Sequence, residues 1–440
     1  MKASVRWLRE LCPQLPDDAK AIAERLTAAG LEVEGSEDFG RAADSCVVAT
    51  VVSTRPHPSR SGLRLVTVDL GKSQQELVCG APNVPDAGGL VVLAPLGAHL
   101  PAKGVTIERR AIAGVASEGM LCSEAELGLG DDASGLLVLP PGVARPGARL
   151  ADALPATRDT ILEIGVTPNR PDGLGHWGLA REAAALFAVP FAPPAPKDPP
   201  RTRESDLAEF VSIAVEDSER CPLYAGAVLL DVRVAPSPLE IRWRLASLGV
   251  RAICNVVDVS NLVMLEFGHP MHAFDLDKVR AGAIVVRRAK AREKLRTLDG
   301  VDRELAPDDL VICDGGGPTA LAGIMGGGDS EIAPTTQRVF LECAYFDPPG
   351  IRRSARRHSL HTESSHRFER GVDWGDTRVV LARAAASIST LASATAITPA
   401  RIVEAKALSR RTVALRHDRL CALLGTAVAR DDGVRVLERL

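Results

Sequence analysis

Residues 192–200 have the sequence Ala-Pro-Pro-Ala-Pro-Lys-Asp-Pro-Pro and divide the chain into two parts. Proline fixes its own φ angle and has no amide hydrogen to donate, so a segment this rich in proline is stiff and extended. The chain has 440 residues, which is too long for one hydrophobic core, and two to four domains are expected. This segment is therefore the best domain boundary in the sequence.

On the N-terminal side of this linker, the patterns are those of an α/β unit interrupted by short strands. Residues 1–39 contain a helical apolar stripe at Ile22, Ala23 and Leu26, followed by Gly30 as a helix terminator. A second helix is expected near Leu179–Phe187. Residues 45–150 favour a small barrel or sandwich, and an oligonucleotide-binding barrel is one option that the pattern alone does not select. The expected strands of this region are Cys46–Val52, Leu63–Leu70, Leu90–Pro95 and Gly135–Leu139.

On the C-terminal side, residues 207–398 indicate a large mixed α+β region. Its helices are expected at Pro238–Leu248 and Asp376–Leu391, and another helix near Leu415–Leu424 belongs to a new unit from residue 401 onward. The last residues, 434–440, have the pattern of an unfinished helix, so we expect the sequence to end inside a domain. The expected strands are Phe210–Val215, Tyr224–Leu230, Ile284–Arg288, Asp309–Cys313 and Val339–Leu341.

Composition indicates a soluble globular protein, with 46% hydrophobic and 25% charged residues. The net charge of −3 gives no bulk electrostatic attraction for nucleic acid, so any such contact must use local basic patches. Nine cysteines are scattered without a Cys-x-x-Cys pair, which argues against a disulfide framework and a zinc knuckle. We expect a cytoplasmic protein, with neither a signal peptide nor a membrane span.

The usual ATP and hydrolase motifs are missing from this sequence. Gly71-Lys72-Ser73 resembles the end of a phosphate-binding loop, but Val66 occupies the position of its first glycine. No Gly-x-Gly-x-x-Gly follows a strand, and neither His-Glu-x-x-His nor Gly-x-Ser-x-Gly occurs. ATP-driven chemistry therefore has no visible site in this chain.

Two His-x-x-His pairs have the spacing of metal ligands, His269 with His272 and His358 with His361. A helical metal site would present two ligands on one face and add a carboxylate. Pro270 disfavours a helix at the first pair, so we expect loop histidines with local hydrogen bonds and no metal site.

A cluster of arginines occupies the segment from residue 352 to 370, where only Glu363 and Glu369 oppose it. At helical spacing, residues 352 and 356 share a face, as do residues 353 and 357. The cluster indicates either a solvated, salt-bridged surface or a ridge that contacts RNA phosphates. Its members are Arg352, Arg353, Arg356, Arg357, Arg367 and Arg370.

Two glycine runs, residues 315–317 and 326–328, flank the apolar segment Leu321–Met325. Such runs turn a hairpin or let a ligand lie against bare backbone. Glu342 stands in the apolar, strand-like run Phe340-Leu-Glu-Cys-Ala344. Because an unpaired buried carboxylate is costly, two interpretations remain: a salt bridge to a nearby arginine, or a hydrogen-bond acceptor in a pocket.

Nine stretches, in this order, resemble the bacterial phenylalanyl-tRNA synthetase beta subunit family, and the resemblance runs from Met1 to Leu440. One stretch would be weak evidence, but nine in order make a chance match unlikely. They are Gly30–Val33, Val78–Asn83, Ser117–Ser123, Thr167–Arg170, Val256–Asn261, Pro270–Asp275, Leu341–Ala344, Arg356–Thr362 and Ser365–Gly371.

The resemblance implies an α+β multidomain plan. A split α/β domain, residues 1–39 and 152–200, would hold an inserted oligonucleotide-binding (OB-fold) tRNA-binding domain at 40–150. Residues 207–398 would form the B3/B4 editing domain, and residues 402–440 would begin a winged-helix-like B5 domain.

The resemblance also implies function and partners. The family ligates phenylalanine to tRNA(Phe) with an alpha subunit, in an alpha2beta2 heterotetramer, and hydrolyses mischarged Tyr-tRNA(Phe). The synthetic active site lies on the alpha subunit. ATP and Mg²⁺ serve the whole enzyme, and none is expected within residues 1–440.

By resemblance, Glu342 accepts a hydrogen bond from the tyrosine hydroxyl, and Ser260, His272 and Gly326 belong to the same pocket. Thr362 and Ser364 lie near the ester, which water attacks, with His272 as the candidate general base. The tRNA-binding residues would be His57, Arg60, Arg353, Arg356 and Arg357.

The sequence departs from the family at several of these positions. The family usually has Ala at Ser364, Asp at Glu363 and Thr at Ser260, and a Lys in the loop where Gly62 stands. Two alternatives therefore stay open: a non-catalytic module that binds tRNA or the alpha subunit, and a free-standing editing hydrolase. The unfinished C-terminal helix argues against the second.

Overall fold

The computed structural model describes residues 1–195 and 197–440. Pro196, in the middle of the predicted linker, lies outside the described residues. The elements before the linker are β1 (Lys2–Ser4), α1 (Val5–Leu11), α2 (Ala19–Ala28), β2 (Glu32–Phe39), β3 (Val47–Pro56), β4 (Arg64–Asp69), β5 (Gln74–Cys79), β6 (Leu90–Pro95), β7 (His99–Leu100), β8 (Val105–Thr106), β9 (Arg110–Ile112), β10 (Val115–Ser117), β11 (Gly119–Leu121), α3 (Glu124–Leu127), β12 (Val138–Leu139), α4 (Leu150–Ala153), β13 (Asp159–Gly165) and α5 (His176–Phe187).

The elements after the linker begin with a short strand and end with two exposed helices. They are β14 (Thr202–Glu204), β15 (Ser212–Val215), β16 (Leu223–Leu230), α6 (Leu239–Ser247), α7 (Asn255–Phe267), β17 (Met271–Asp275), β18 (Ala283–Arg288), β19 (Lys294–Arg296), β20 (Asp302–Glu304), β21 (Leu310–Asp314), β22 (Gly317–Leu321), β23 (Met325–Gly326), β24 (Val339–Tyr345), α8 (Pro348–Arg357), α9 (Glu363–Phe368), α10 (Thr377–Leu391), β25 (Thr395–Thr398), β26 (Arg401–Glu404), α11 (His417–Leu424) and α12 (Arg430–Glu438).

Among the described residues before the linker, two sheets have three or more strands, and β7-β8 and β9-β10 form two-stranded sheets. The first has the antiparallel order β1-β13-β2, so it joins the N-terminus to residues 159–165. Helices α1, α2 and α5 pack on it around Leu8, Leu26 and Leu179. The second sheet has the order β11-β6-β3-β4-β5, with β12 also paired to β6. Alternate residues of β3 and β6 enter two separate hydrophobic clusters, so both faces of the sheet are covered at these two strands.

Two further sheets and two helices form layers after the linker. The central sheet has the order β14-β25-β16-β24-β17, with β26 also paired to β16. One face of β24, with Leu341 and Cys343, packs against α7 and α10. The other face, with Phe340 and Ala344, packs against the second sheet, β15-β18-β21-β22-β23. This alternation places residue 342 between the two sheets.

The two parts of the chain meet along α6, α7 and the turn after α7. Leu245, Leu248 and Leu265 belong to the hydrophobic core of the first part. Backbone meets backbone at Gly175, where an added Cβ would lie 2.4 Å from the amide nitrogen of Gly268. The first part therefore supports the turn that leads directly into β17.

The mixed α+β class is confirmed, and so are most of the predicted elements. The helices near residues 179–187, 238–248, 376–391 and 415–424 are present, but the expected strand at 135–139 is reduced to Val138–Leu139. Sequence reasoning missed α7, because its valines are weak helix formers. Val256, Val259 and Val263 recur at helical spacing and are all buried, so packing holds this helix.

Within residues 1–195 and 197–440, no helix combines the length and the apolar character that a membrane crossing requires.

Candidate functional site

Glu342 lies near the middle of β24, between two strands that place specific residues directly opposite it. In the pairing with β16 its neighbour is Gly226, and in the pairing with β17 its neighbour is His272. A Cβ on Gly226 would come within 2.4 Å of the Phe340 ring. Glycine at this position therefore lets Phe340 cover the strand beside the carboxyl group.

The carboxyl group of Glu342 is buried, and no described residue forms an ion pair with it. The residue is 5% exposed, and in the described chain its Oε2 atom has no hydrogen-bond partner. Burial raises the pKa of Glu342 from 4.5 to about 8, and the nearby Tyr224 hydroxyl lowers it in part. Among residues 1–195 and 197–440, no arginine forms the salt bridge that was one of the two interpretations of this residue. Glu342 is a buried polar group that a ligand hydroxyl can satisfy.

His272 occupies β17 beside this carboxyl and is a strand residue, not the expected loop residue. Its ring packs edge-on against Phe274, with 4.4 Å between ring centroids. Its buried Nε2 atom has no partner among the described residues, and burial lowers the pKa of His272 to about 4. The ring is therefore neutral at pH 7, and its unpaired Nε2 can form a hydrogen bond with a ligand, while burial makes the ring a weaker base than a free imidazole.

Gly326 closes one wall against the histidine. A Cβ at Gly326 would lie 2.5 Å from the Cε1 atom of His272, so any side chain would displace the ring. Gly323 has a φ of +67°, and a Cβ there would approach Phe346 and Phe368. These two positions require glycine, and they shape the segment between the two predicted glycine runs.

A cavity of about 100 Å³ brings four of the predicted residues together. It lies where β17, β24, the β22–β23 segment and α9 meet. The predicted residues in its lining are His272, Gly326, Glu342 and Ser364. Its other lining residues are Pro270, Met271, Ile312, Ala320, Leu321, Gly323, Ile324, Met325 and Phe368.

Helix α9 attaches its first residues to the cavity wall. Thr362 is the N-cap residue, and its hydroxyl donates to the carbonyl oxygen of Ile324 at 2.8 Å. Ser364 donates to the carbonyl oxygen of Gly323 at 3.0 Å. Thr362 therefore fixes the lining residue Ile324 without lining the cavity itself, whereas Ser364 lines the cavity.

Ser260 does not lie with the others, contrary to expectation. It stands on α7, its hydroxyl donates to Val257 at 2.7 Å, and it is not a lining residue of the cavity. Sequence reasoning also missed Tyr224, whose buried hydroxyl faces the Glu342 side of β24. The only signal for Tyr224 was its place in a strand-like run, two residues before Gly226, which puts both on one face.

The arginine cluster is partly neutralised by acidic residues that are distant in sequence. Arg353 pairs with Asp308 at 3.4 Å, and Arg357 pairs with Asp308 and Asp309. Asp309 is fully buried and also accepts a hydrogen bond from His358 at 2.8 Å. This part of α8 is therefore a salt-bridged surface, the first of the two interpretations.

The other arginines of the cluster divide into exposed and buried ones. Arg352 and Arg356 are exposed, and neither forms an ion pair within the described chain. Arg367, in contrast, is 2% exposed and cannot belong to a surface ridge. Among the predicted RNA contacts on α8, only Arg356 therefore presents an unpaired guanidinium to solvent.

The predicted loop between β3 and β4 is held together by its histidine. The buried His57 ring lies 3.3 Å from the carbonyl oxygen of Ile112 and accepts from the amide of Ser59. Arg60 is exposed at the tip of the loop. His57 thus shapes the loop, and Arg60 is the residue that is available to a partner.

Comparison with known proteins gives matches along the whole chain. The family model "B3/4 domain" matches residues 220–393, and the model "Putative tRNA binding domain" matches residues 46–149. The phenylalanine–tRNA ligase beta subunit of Anaeromyxobacter dehalogenans is 45% identical, covering 99% of this chain and 54% of that protein. Those of Geobacter metallireducens and Salinibacter ruber are 44% and 41% identical, covering 100% and 99% of this chain and 54% of each relative. The chain spans about half the length of these relatives.

Proposed function

Since the chain belongs to the phenylalanine–tRNA ligase beta subunit family, we propose that it supports aminoacylation of tRNA(Phe) and hydrolyses Tyr-tRNA(Phe) at the cavity around Glu342. The observation that carries the editing proposal is the unpaired, buried carboxyl of Glu342 beside His272 in one cavity. A carboxyl placed in apolar surroundings is matched by a ligand hydroxyl, which tyrosine has and phenylalanine lacks.

Discrimination follows from the cost of leaving a polar group unpaired. A hydrophobic synthetic pocket cannot strongly reject an added hydroxyl, so a second site must remove the error. If the phenylalanine ring enters, Glu342 stays unsatisfied, at a cost of ~1–3 kcal/mol. With a pKa of about 8, the carboxyl is mostly protonated at pH 7 in the empty cavity and can both donate to and accept from a phenol.

Hydrolysis of the ester uses water in this proposal. The general base in this proposal is the neutral His272 ring, which would receive a proton from the attacking water at its unpaired nitrogen, although burial makes it a weak base. Ser364 lines the cavity near the ester, and Thr362 positions the wall through Ile324. No side-chain nucleophile is needed, since the substrate ester is already activated toward water.

The wider assignments are proposals of the same kind. The sheet of β3–β6, β11 and β12 would be an OB-fold tRNA-binding domain (40–150) inserted in a split α/β domain (1–39 and 152–200), with Arg60 contacting tRNA(Phe). Residues 207–398 would be the editing domain, and 402–440 would belong to a winged-helix-like B5 domain. The whole enzyme would be a cytoplasmic alpha2beta2 heterotetramer with an alpha subunit, using ATP and Mg²⁺ at the alpha-subunit synthetic site.

The test compares hydrolysis of Tyr-tRNA(Phe) and Phe-tRNA(Phe) by the wild-type chain, Glu342→Ala and Glu342→Gln. We expect the alanine variant to lose the preference for tyrosine by about tenfold or more. The glutamine variant keeps the volume and a hydrogen-bonding group, so it should retain part of the preference. Equal preference in all three proteins would remove Glu342 from the site.

A second candidate function is a binding module without hydrolytic activity. The observation that favours it is Ser364, whose side chain lines a cavity of only about 100 Å³ and is held there by Gly323. Such a module would bind tRNA or the alpha subunit while the cavity excludes the tyrosine ring. A wild-type chain that binds Tyr-tRNA(Phe) but never hydrolyses it would favour this candidate.

A further inference from the structure

A second cavity lies next to the one around Glu342, along the same strands. It has a volume of about 150 Å³ and opens beside the glycine run of residues 315–317. Gly326 and Ala320 line the first cavity, and their sequence neighbours Gly327 and Thr319 line the second. Since consecutive residues of a strand face opposite sides, the two cavities lie on either side of the β22–β23 segment and share it as a wall.

Arg280 is fixed at the edge of this second cavity. Its Nε atom donates to the carboxylate of Asp314 at 2.9 Å, and Gly315 donates to its carbonyl oxygen at 3.0 Å. A Cβ on Gly316 would lie 2.2 Å from the Cζ atom of Arg280, so the bare glycine backbone makes room for the guanidinium. Its hydrogen bonds to Asp314 run through Nε, which leaves the two terminal nitrogens available to a ligand.

Two more cations line the same cavity from β19. Lys294 and Arg296 are two residues apart, so they share one face of the strand, and both are exposed. Within the described chain neither side chain forms an ion pair, although Glu304 and Asp302 stand opposite them in the strand pairing. The cavity also contains one carboxylate, Asp329, which opposes any anion that enters.

We propose that this second cavity binds a phosphodiester group of the substrate RNA close to its charged 3′ end, through Arg280, Lys294 and Arg296. The inference rests on the proposed editing function, because it supposes an RNA-linked ester in the first cavity. Phosphate fits the site because three cationic side chains line it, and the glycine backbone beside Arg280 leaves room for the guanidinium. A chain with a net charge of −3 has to hold RNA by local patches of this kind.

The test compares two tyrosine esters, one on tRNA(Phe) and one on adenosine without any phosphate. The wild-type chain, the double variant Lys294→Ala/Arg296→Ala, and Asp329→Asn are assayed for kcat/KM at several salt concentrations. The matched control is Lys20→Ala, an exposed cation on α2. Inorganic phosphate serves as a competitor, to separate a site for any free anion from one that needs RNA.

For the RNA-linked ester, kcat/KM of the double variant should fall about tenfold, as expected when charge-assisted hydrogen bonds to a phosphate are removed. A plot of log kcat/KM against the logarithm of the salt concentration should also be shallower for the double variant. Its slope should change by about 0.7 for each phosphate that the protein no longer neutralises. Asp329→Asn should raise kcat/KM, a gain that misfolding cannot produce. The adenosine ester and the Lys20 control should be unchanged.

Four outcomes would overturn the inference. If the wild-type chain hydrolyses both esters and neither variant changes hydrolysis of the RNA-linked ester, the phosphate site is rejected and the proposed function is retained. Equal losses on the two esters would show that the cations stabilise the fold and do not contact RNA. Inhibition by inorganic phosphate that is equal for both esters would assign the cavity to a free anion. A wild-type chain that hydrolyses neither ester would overturn the proposed function, and this inference with it.

Discussion

Arg367 donates a hydrogen bond from Nε to the main-chain carbonyl oxygen of Leu174, over 3.1 Å. A second guanidinium nitrogen donates to the carbonyl oxygen and to the carboxylate of Glu363, at 3.0 and 2.6 Å. Helix α9, which carries Ser364, is thereby attached to the part of the chain before the linker. The wall of the cavity is thus held by a residue that does not touch the cavity.

Replacing Arg367 with methionine should weaken this attachment. The carbonyl oxygen of Leu174 would lose its charged donor, so we expect the free energy of unfolding to fall by ~1–3 kcal/mol. Urea denaturation measures the change. The matched control is Arg352→Met on the exposed face of α8, which should alter stability by less than about 0.5 kcal/mol. Equal effects of the two substitutions would show that the bond to Leu174 adds nothing.

Glu342 should make stability depend on pH in a defined direction. Its folded-state pKa of about 8 lies above the unfolded value of 4.5, so the folded state binds the proton more tightly. The contribution of the protonated carboxyl to the free energy of unfolding is fully present below pH 4.5. It is lost as the pH rises through 8. Glu342→Gln removes this titration, so its stability relative to wild type should increase between pH 5 and pH 9.

The measurement is urea denaturation of both proteins at pH values across that range. Each unit of pKa difference corresponds to about 1.4 kcal/mol, so the change should be well above experimental error. If the free energy of unfolding varies with pH in the same way in both proteins, the pKa of the buried carboxyl is not raised.

Gly326→Ala should impair hydrolysis by moving a ring. The new Cβ would lie 2.5 Å from the His272 ring, so the imidazole must leave its place beside Glu342. We expect kcat for Tyr-tRNA(Phe) to fall by about 100-fold, within the range for a displaced general base. The control is Gly328→Ala, where an added Cβ meets nothing within 4 Å. Comparable activity in the Gly326→Ala and Gly328→Ala variants would show that His272 takes no part in hydrolysis.

Ser364→Ala tests whether the cavity is narrowed. The hydroxyl donates to Gly323 and lines the cavity, so its removal enlarges the space for the tyrosine ring. We expect kcat/KM for Tyr-tRNA(Phe) to rise, by at most about tenfold. Steady-state hydrolysis measures this, with the Phe ester as the reference. A fall would mean that the serine hydroxyl itself assists the reaction.

Local patterns in the sequence predicted most of the helices and strands, and family resemblance named four of the residues that line the cavity. Glu342 could be singled out because one acidic residue interrupts an apolar strand, and its neighbours in the sheet decided between the two interpretations. Ser260 was misplaced, because a serine on a helix can bond its own backbone instead of facing a cavity.

Long-range partners were beyond any local pattern. Nothing near residue 357 indicates that Asp309, 48 positions away, would neutralise its arginine. The burial of Arg367 depends in the same way on Leu174, which lies 193 positions earlier in the chain. Such pairs are set by how sheets and helices pack, so a cluster of like charges in the sequence overstated the exposed positive surface.

The close approach of Gly175 to Gly268 bears on any attempt to isolate the hydrolytic module. Cutting at the proline segment would remove the backbone that rests on the turn before β17, and would leave Leu245, Leu248 and Leu265 facing water. The apparent modularity of the sequence is therefore misleading: a minimal protein for the proposed hydrolysis has to carry the N-terminal residues along as a scaffold, even though none of them lines the cavity around Glu342.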